Sequence, residues 1–487
     1  MAERPFFLNK RWGSSYRSFR EITPPQPDLK RGTLPDLRLD WLDFCRFKAY
    51  LNKHVWIPRM VKAIREYDKR HLIIAYTILT DDVEFVKPIY GELDYLHNGG
   101  NQGNLRKGKL LDAWFRGRIG WISEPHYPHH WAFDHNGWTV DNAVWQALNH
   151  AGGGGGNLHI YFFPNPRHLA GHYGGLYAYD RLEQFRSILH ELNDFRPVIP
   201  PIETARITDS DTLFAKHRTS FEGRIGDLER WFDLADRDHV PTEPFDDTRA
   251  GQYKLLLTNP LAEVLSGKNA ERILNAVRCG ARIIMTANTG KFVPELIREP
   301  FPLLKRFGIT PPSGPYRMDR AEVTAEAVQD HLLFRKGEKI SFFSLADYRN
   351  DLKDSRVKAK FFSYPYRWIP ETDYFGYYPE NRNITGTVLA RFPEGAPAIS
   401  LHKFGKGEIL LFWGMPDYRE GRLSGFLRRA LKWSGGSEAA PVDGLDVLEG
   451  TAPKLKRFYA ALYTEQPGTY HHLFRNVPAG GFWYLDE

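Results

Sequence analysis

Four short apolar runs constrain the first 200 residues more than any other feature. They are HLIIAYT (71–77), DYLHNGG (94–100), RIGWISE (118–124) and NLHIYFF (157–163). HLIIAYT is an apolar run suited to a strand buried on both faces, and the other three read as further strands. Helical stretches stand between them. Residues 40–67 carry Trp41, Phe44, Phe47, Leu51 and Val55 at helical spacing. A short helix is expected over DDVEFVKPIYG, broken by Pro88, and further helices over about 139–151 and 179–193. The glycine run 152–156 reads as a flexible connection into the fourth strand. Strands that alternate with helices form parallel β/α units. In barrels of such units the active site lies at the carboxyl ends of the strands. The residues at those ends are Tyr76 and Thr77, His97 and Asn98, Ser123 and Glu124, Phe162 and Phe163. A closed barrel needs eight strands and only four are legible, so two sheet edges need cover.

From Ile202 the pattern changes. Strands KLLLTN (254–259) and ARIIMTA (281–287) flank a helix at 270–279. PAISLHKFGKGEILLFWG (397–414) reads as a hairpin turning at Gly405 and Gly407, followed by a helix at 423–433. This is the pattern of a separate doubly wound α/β domain. GGSEAAPVDG (435–444) looks like a linker, and RFYAALYTEQPGTYHHLFRNVP alternates as a small sheet does. The expected division is 1–200, 201–436 and 437–487, in keeping with about three domains for 487 residues. The second domain lacks a G-x-G-x-x-G after a strand, which argues against a dinucleotide site. Cys279, in AVRCGARII, stands at a helix end rather than on a nucleophile elbow, and is expected to be a buried small residue.

Charge and cysteine content exclude several classes. Lys and Arg total 66 against 59 for Asp and Glu, a net +7 with no run of five or six like charges. No basic tail or stripe for nucleic acid is present. Cys45 and Cys279 form neither a disulfide framework nor a four-thiolate zinc site. The segment MAERPFFLNKRW lacks the apolar core of a signal peptide, and no stretch approaches a membrane span. The expectation is a soluble chain in a reducing compartment, the cytoplasm, with no nucleic-acid or membrane partner.

Glu124, in IGWISEPHY, carries the chemistry. A strand that ends in a carboxylate and is followed by Pro125 puts charge at the mouth of a barrel. Retaining glycoside cleavage needs two carboxyl groups about 5–5.5 Å apart, and Glu124 has the residue type for one. A lone Glu after a strand also serves as a helix-cap neighbour or in a salt bridge. Asp81 and Asp82 follow the first strand and have the residue type for the second carboxyl, although Asp is common at helix N-caps. His126, His129, His130 and His135 lie close after Glu124, but without an HExxH pairing they are read as cleft-lining or solvated residues, not as metal ligands. His97, Asn98, His126, Trp131, Tyr161 and Arg167 are the candidate sugar contacts. Tyr161 has an equal claim to inward packing, and Arg167 to a structural ion pair. The chain is rich in aromatics, with 13 Trp, which suits both a large core and sugar faces.

Several of these segments, in this order, resemble glycoside hydrolase family 42, the β-galactosidases. LNKRWGSSYRSFREITPP (8–25) and LDWLDF (39–44) are similar to the segment after that family's acid/base strand. IREYDKRHLIIAY (64–76) resembles the entry to its fifth strand. IGWISEPHY resembles its seventh strand, whose terminal Glu is the nucleophile, a position that falls on Glu124. NLHIYFFPNPRHLAGHYGGLYAYD (157–180) resembles the eighth strand and its loop, and residues 202–435 the flavodoxin-like trimerisation domain. The resemblance implies a retaining glycosidase with no cofactor, built on strands five to eight of a (β/α)8 barrel, then a flavodoxin-like domain and a small β region. The family's acid/base is a Glu in an Asn-Glu pair on the fourth strand, and no Asn-Glu pair occurs in the first 200 residues. The missing half is then supplied by a second polypeptide or a second copy, or the sequence is a fragment of a longer gene. The alternative class is a non-catalytic carbohydrate-binding or assembly subunit.

Overall fold

The computed structural model describes residues 5–25, 39–71, 73–78, 95–100, 120–125, 157–158, 196–197, 201–207, 209, 211–215, 234–235, 238, 240–260, 262–295, 300–313, 323–342, 378–417, 422–437, 446–452, 457–463 and 469. The helices expected over 81–91, 139–151 and 179–193 lie outside the described residues.

The amino-terminal part is helical. Helix α1 (Phe6–Trp12) precedes α2 (Leu39–Leu51) and α3 (Ile57–Tyr67). The expected helix over 40–67 is one continuous run, but a π-helical turn, Asn52–Trp56, joins α2 to α3. Pro58, at the start of α3, explains it. Proline lacks a backbone N–H and its ring crowds the carbonyl four residues back, which a wider turn relieves.

Four strands follow: β1 (Ile74–Ile78), β2 (Tyr95–Gly100), β3 (Gly120–Pro125) and β4 (Asn157–Leu158). They form one sheet in the order β1-β2-β3-β4, with every pair parallel. This is the arrangement that the alternation of apolar runs and helices implies.

A nine-stranded sheet dominates the rest. Its strands are β6 (Thr204–Ile207), β7 (Thr242–Pro244), β8 (Leu255–Thr258), β9 (Arg282–Thr286), β10 (Val323–Ala327), β11 (Lys339–Phe342), β12 (Thr387–Arg391), β13 (Pro397–Phe404) and β14 (Gly407–Phe412). The order is β11-β10-β12-β13-β14-β9-β8-β6-β7. Five neighbouring strands, β7-β6-β8-β9-β14, are mutually parallel. Numbered along the chain they run 2-1-3-4-5, an order that doubly wound sheets use. β10 to β13 extend the sheet as antiparallel strands.

Both faces of the middle of this sheet are covered, and β8, β9 and β14 read as nearly continuous apolar runs there. Leu255 and Leu257 point into one core with Ile284, Leu410 and Phe412, beneath Phe426, Leu427 and Ala430 of helix α6 (Phe426–Trp433). Leu256 points the other way, joining Ile283, Met285, Ile409 and Leu411 against Ile273, Leu274 and Val277 of helix α5 (Gly267–Cys279). Helix α5 starts three residues before its expected start because the Ser266 hydroxyl caps it, accepting from Asn269 N at 3.4 Å. Cys279 is exposed, which corrects the expectation of a buried thiol. The inward stripe of α5 ends at Val277, and Cys279 falls off it.

A third, antiparallel sheet has the order β16-β15-β5, from β15 (Asp446–Ala452), β16 (Arg457–Tyr463) and β5 (Arg196–Pro197). Its third strand therefore comes from the segment just before the nine-stranded sheet. Among the described residues, no helix is long and apolar enough to cross a membrane.

Helix α2 packs on α4 (Asp211–Ala215), which follows β6. Trp41 and Leu42 are fully buried there. The Trp41 indole donates to the Phe214 carbonyl at 2.8 Å, and Leu42 meets Val264. Burial of a side chain of this kind contributes about 2–3 kcal/mol.

Candidate active site

The register of the four-stranded sheet lines up three rows of residues at its carboxyl ends. Tyr76, His97, Ile122 and Asn157 form the first row. Thr77, Asn98, Ser123 and Leu158 form the second. Ile78, Gly99 and Glu124 form the last. The amino-terminal positions Ile74, Ala75, Leu96 and Trp121 are apolar, as a sheet covered on both faces requires. Polar types, among them His97, Asn98, Ser123 and Glu124, gather in the rows beyond them.

Successive rows of a pleated sheet alternate between its faces. The backbone thus gives Glu124 the same parity as His97 and Tyr76, and gives Asn98 and Thr77 the opposite parity. His97 stands one strand across and two residues back from Glu124, about 8 Å away at Cα on standard strand spacings. Gly99 stands directly beside Glu124 and has no side chain to crowd that flank.

Of the sequence-derived site residues, the sheet therefore brings together Glu124, His97 and Asn98, and the pleat separates Asn98 from the other two. Tyr76 joins the His97 row; strand alternation alone does not reveal this, because it depends on the offset between strands. His126, Trp131, Tyr161 and Arg167 lie outside the described residues, as do Asp81, Asp82, His129, His130 and His135. Glu124 is the single acidic residue among the described positions of this sheet.

The nine-stranded sheet has its own carboxyl-end region, the usual ligand side of a doubly wound sheet. There the Thr258 hydroxyl donates to the Ile284 carbonyl at 3.0 Å, and the Thr286 hydroxyl to the Pro260 carbonyl at 3.1 Å. A pocket lies alongside, lined by Pro260, Thr286, Asn288, Tyr378, Trp413 and Met415, with a cavity volume of about 10 Å³. The Tyr378 hydroxyl donates to Asn288 Oδ1 at 2.7 Å, and burial raises its pKa. The pocket is below the roughly 300–1,000 Å³ typical of small-molecule sites.

At the point where this strand order reverses, between β6 and β8, the protein fills the crevice itself. Asp209 accepts from Ser266 N at 2.7 Å, Ser266 Oγ at 2.8 Å and Asn269 Nδ2 at 2.9 Å. Asp211 is bound by the Arg46 guanidinium of α2, through Nε at 2.9 Å and through Nη2. Burial, with the neighbouring Asp209 carboxylate, pushes the Asp211 carboxyl up to about 7. Glu295 accepts from Gly267 N at 2.8 Å and also meets Arg46. Sequence reading passed over Arg46. The available signal was a charged residue one helical turn after the inward-facing Leu42.

No protein-family model matches the chain, and no curated protein matches it by sequence. Solved structures do match its fold. A β-galactosidase from Bacillus circulans sp. alkalophilus aligns with a TM-score of 0.64 at 14% identity, over 91% of this chain and 66% of that one. A family 42 β-galactosidase from G. stearothermophilus aligns with a TM-score of 0.61 at 14% identity, over 92% and 66%. A β-galactosidase from the haloarchaeon Halorubrum lacusprofundi gives 0.62 at 15% identity, over 91% and 68%. This chain thus spans 66% of the length of the first two. At such identities the likeness is one of fold: a mixed α/β chain with a large sheet, built as these β-galactosidase structures are built.

Proposed function

We propose that this chain is a glycosidase-type protein of the β-galactosidase kind, and that Glu124 is its nucleophilic carboxylate. The carrying observation is the position of Glu124 at the carboxyl end of the third of four parallel strands, in a chain whose fold follows β-galactosidase structures over 91% of its length. In this reading β1 to β4 are strands five to eight of a barrel, residues 201–436 are a flavodoxin-like domain, and 437–487 are a small β domain.

The Glu124 carboxylate attacks the anomeric carbon and expels the leaving group, which takes a proton from a second carboxyl. Water then resolves the glycosyl-enzyme. The second carboxyl comes from a partner chain or a second copy that covers the sheet edges at β1 and β4, which have no further strand among the described residues. His97 and Asn98, with His126, Trp131, Tyr161 and Arg167, contact the sugar.

One observation favours the non-catalytic alternative, a carbohydrate-binding or assembly subunit. Among the described residues, the strand ends supply only one of the two carboxyl groups that the reaction needs.

Aryl β-galactoside turnover by the purified chain separates the two readings. Wild-type turnover that falls about a thousandfold or more in Glu124→Gln supports the nucleophile, as removal of a covalent catalyst should. Azide should restore turnover to Glu124→Ala, with a glycosyl azide of inverted anomeric configuration as product. Turnover unchanged in Glu124→Gln would overturn the assignment. Saturable galactoside binding without turnover would favour the subunit reading.

A further inference from the structure

The crevice between β6 and β8 is where a doubly wound sheet ordinarily receives a ligand. A helix N-terminus beside such a crevice ordinarily attracts an anion, because its first N–H groups lack partners. Here α5 presents that terminus, and carboxylates of the chain itself occupy it. Glu295 takes Gly267 N, and Asp209 takes the N–H and hydroxyl of the Ser266 cap. Glu295 packs so closely that a Cβ at residue 267 would stand 3.0 Å from its own Cβ. These carboxylates make the crevice acidic, so it repels phosphate and attracts a cation.

The cation it holds is Arg46. Its guanidinium bridges Asp211 and Glu295, two groups of the nine-stranded unit. Behind it, Asp43 of α2 is gripped by Arg11, whose Nη2 donates at 2.8 Å, and by the Trp12 indole, also at 2.8 Å. Arg11 reaches on to the Pro294 carbonyl at 3.3 Å. Helix α2 is thus tied to the crevice by the Arg46 fork and the buried pair Trp41 and Leu42, and α1 is tied to α2 by the Arg11 fork on Asp43. Helix α2 continues through α3 to Tyr67, and seven residues later the chain begins β1.

We propose that this crevice is a receptor for a helix-borne guanidinium, occupied by Arg46 of the chain's own α2, and that Arg46 is the residue that holds α2 on the nine-stranded unit. The receptor takes the place of a nucleotide or phosphate site. The inference does not depend on hydrolysis, so it stands or falls separately from the role of Glu124.

Hydrogen exchange read by mass spectrometry on the full chain tests it, comparing wild type, Arg46→Ala and Arg46→Lys. In Arg46→Ala, peptides from 39–51 should exchange about tenfold faster, the effect of losing a charge-assisted hydrogen bond, while peptides from 267–279 keep wild-type protection. Arg46→Lys keeps the charge without the fork and should fall between the two. Addition of inorganic phosphate to the wild type should leave exchange over 262–270 unchanged. Unaltered 39–51 protection in Arg46→Ala would overturn the proposal. So would joint loss of protection in 39–51 and 267–279, which would make Arg46 part of one common core, or phosphate-induced protection over 262–270.

Discussion

Glu124 stands in direct register with Gly99 across the parallel pair β2 and β3. The residue beside the proposed nucleophile is thus the one type that leaves its flank open. A branched side chain there should close that flank while suiting the strand. Gly99→Val is expected to keep the thermal midpoint within a few degrees and to lower kcat/KM on aryl β-galactosides about tenfold or more. Paired unfolding and steady-state measurements check both halves.

The pleat makes a second, comparative prediction. His97 shares the parity of Glu124, and Asn98 does not. His97→Ala should cost more in kcat/KM than Asn98→Ala, by about tenfold, roughly the worth of one hydrogen bond to a charged group. Equal losses would mean that pleat parity does not decide which of these residues meets the substrate.

Acid should weaken the nine-stranded core through His402. The Ser400 hydroxyl accepts from the Trp413 indole at 2.8 Å and meets His402 Nε2 at 2.7 Å. The hydroxyl has one proton of its own, which can be donated to an imidazole that is neutral and unprotonated at Nε2. Burial pushes His402 down to about 4, from 6.5 in an unfolded chain. A depressed base contributes stability above the unfolded value and loses it as pH falls from about 6.5 toward 4, by about 3 kcal/mol in all. His402→Gln keeps an acceptor without the titration. Its urea midpoint should decline less over that range than the wild type's.

Asp211 should act in the opposite sense. Its carboxyl rises to about 7, so the folded state binds the proton more tightly than the unfolded chain does. Its contribution is complete below about 4 and is lost as pH climbs through 7. Asp211→Asn should remove that decline. Because the His402 and Asp211 slopes oppose each other in the wild type, each variant's midpoint is to be compared with wild type at pH 4, 5.5 and 7.

Gly407→Ala is expected to be severely destabilising. A Cβ at Gly407 would collide with the carbonyl oxygens of Ala281 and Val277, where the β13–β14 hairpin backs onto the end of α5. Both obstacles are backbone, so relief requires moving a strand or a helix end. A loss of about 3 kcal/mol, read from the thermal midpoint, is the expected size.

The strands that sequence reading found are those whose burial is written into their own residues. The centres of LLLT and RIIMT are continuous apolar runs because both faces of the sheet are covered there. β6 and β7 escaped because their buried positions hold Thr204, Arg206, Thr242 and Glu243. Glu243 is tolerated there only because the Arg249 guanidinium and the Tyr253 hydroxyl, six and ten residues along the chain, both donate to it at 2.6 Å. Such pairing is a property of the fold, not of a window of sequence. The same division holds at the strand ends. Residue types and the parallel-strand rule led to Glu124, His97 and Asn98. Which of them share a face depends on the offset between strands some 20 residues apart, which composition does not encode.

The pairing of Arg196–Pro197 with Gly450 and Thr451 gives the carboxyl-terminal hairpin a further role. The chain leaves its first half through that two-residue strand, crosses the nine-stranded sheet, and returns to bind its own point of departure. The hairpin is thus a clip on the junction between the two larger sheets. Shortening the chain at residue 437 would loosen a hinge more than 200 residues upstream, and the freedom gained would appear between the Glu124 sheet and its neighbour.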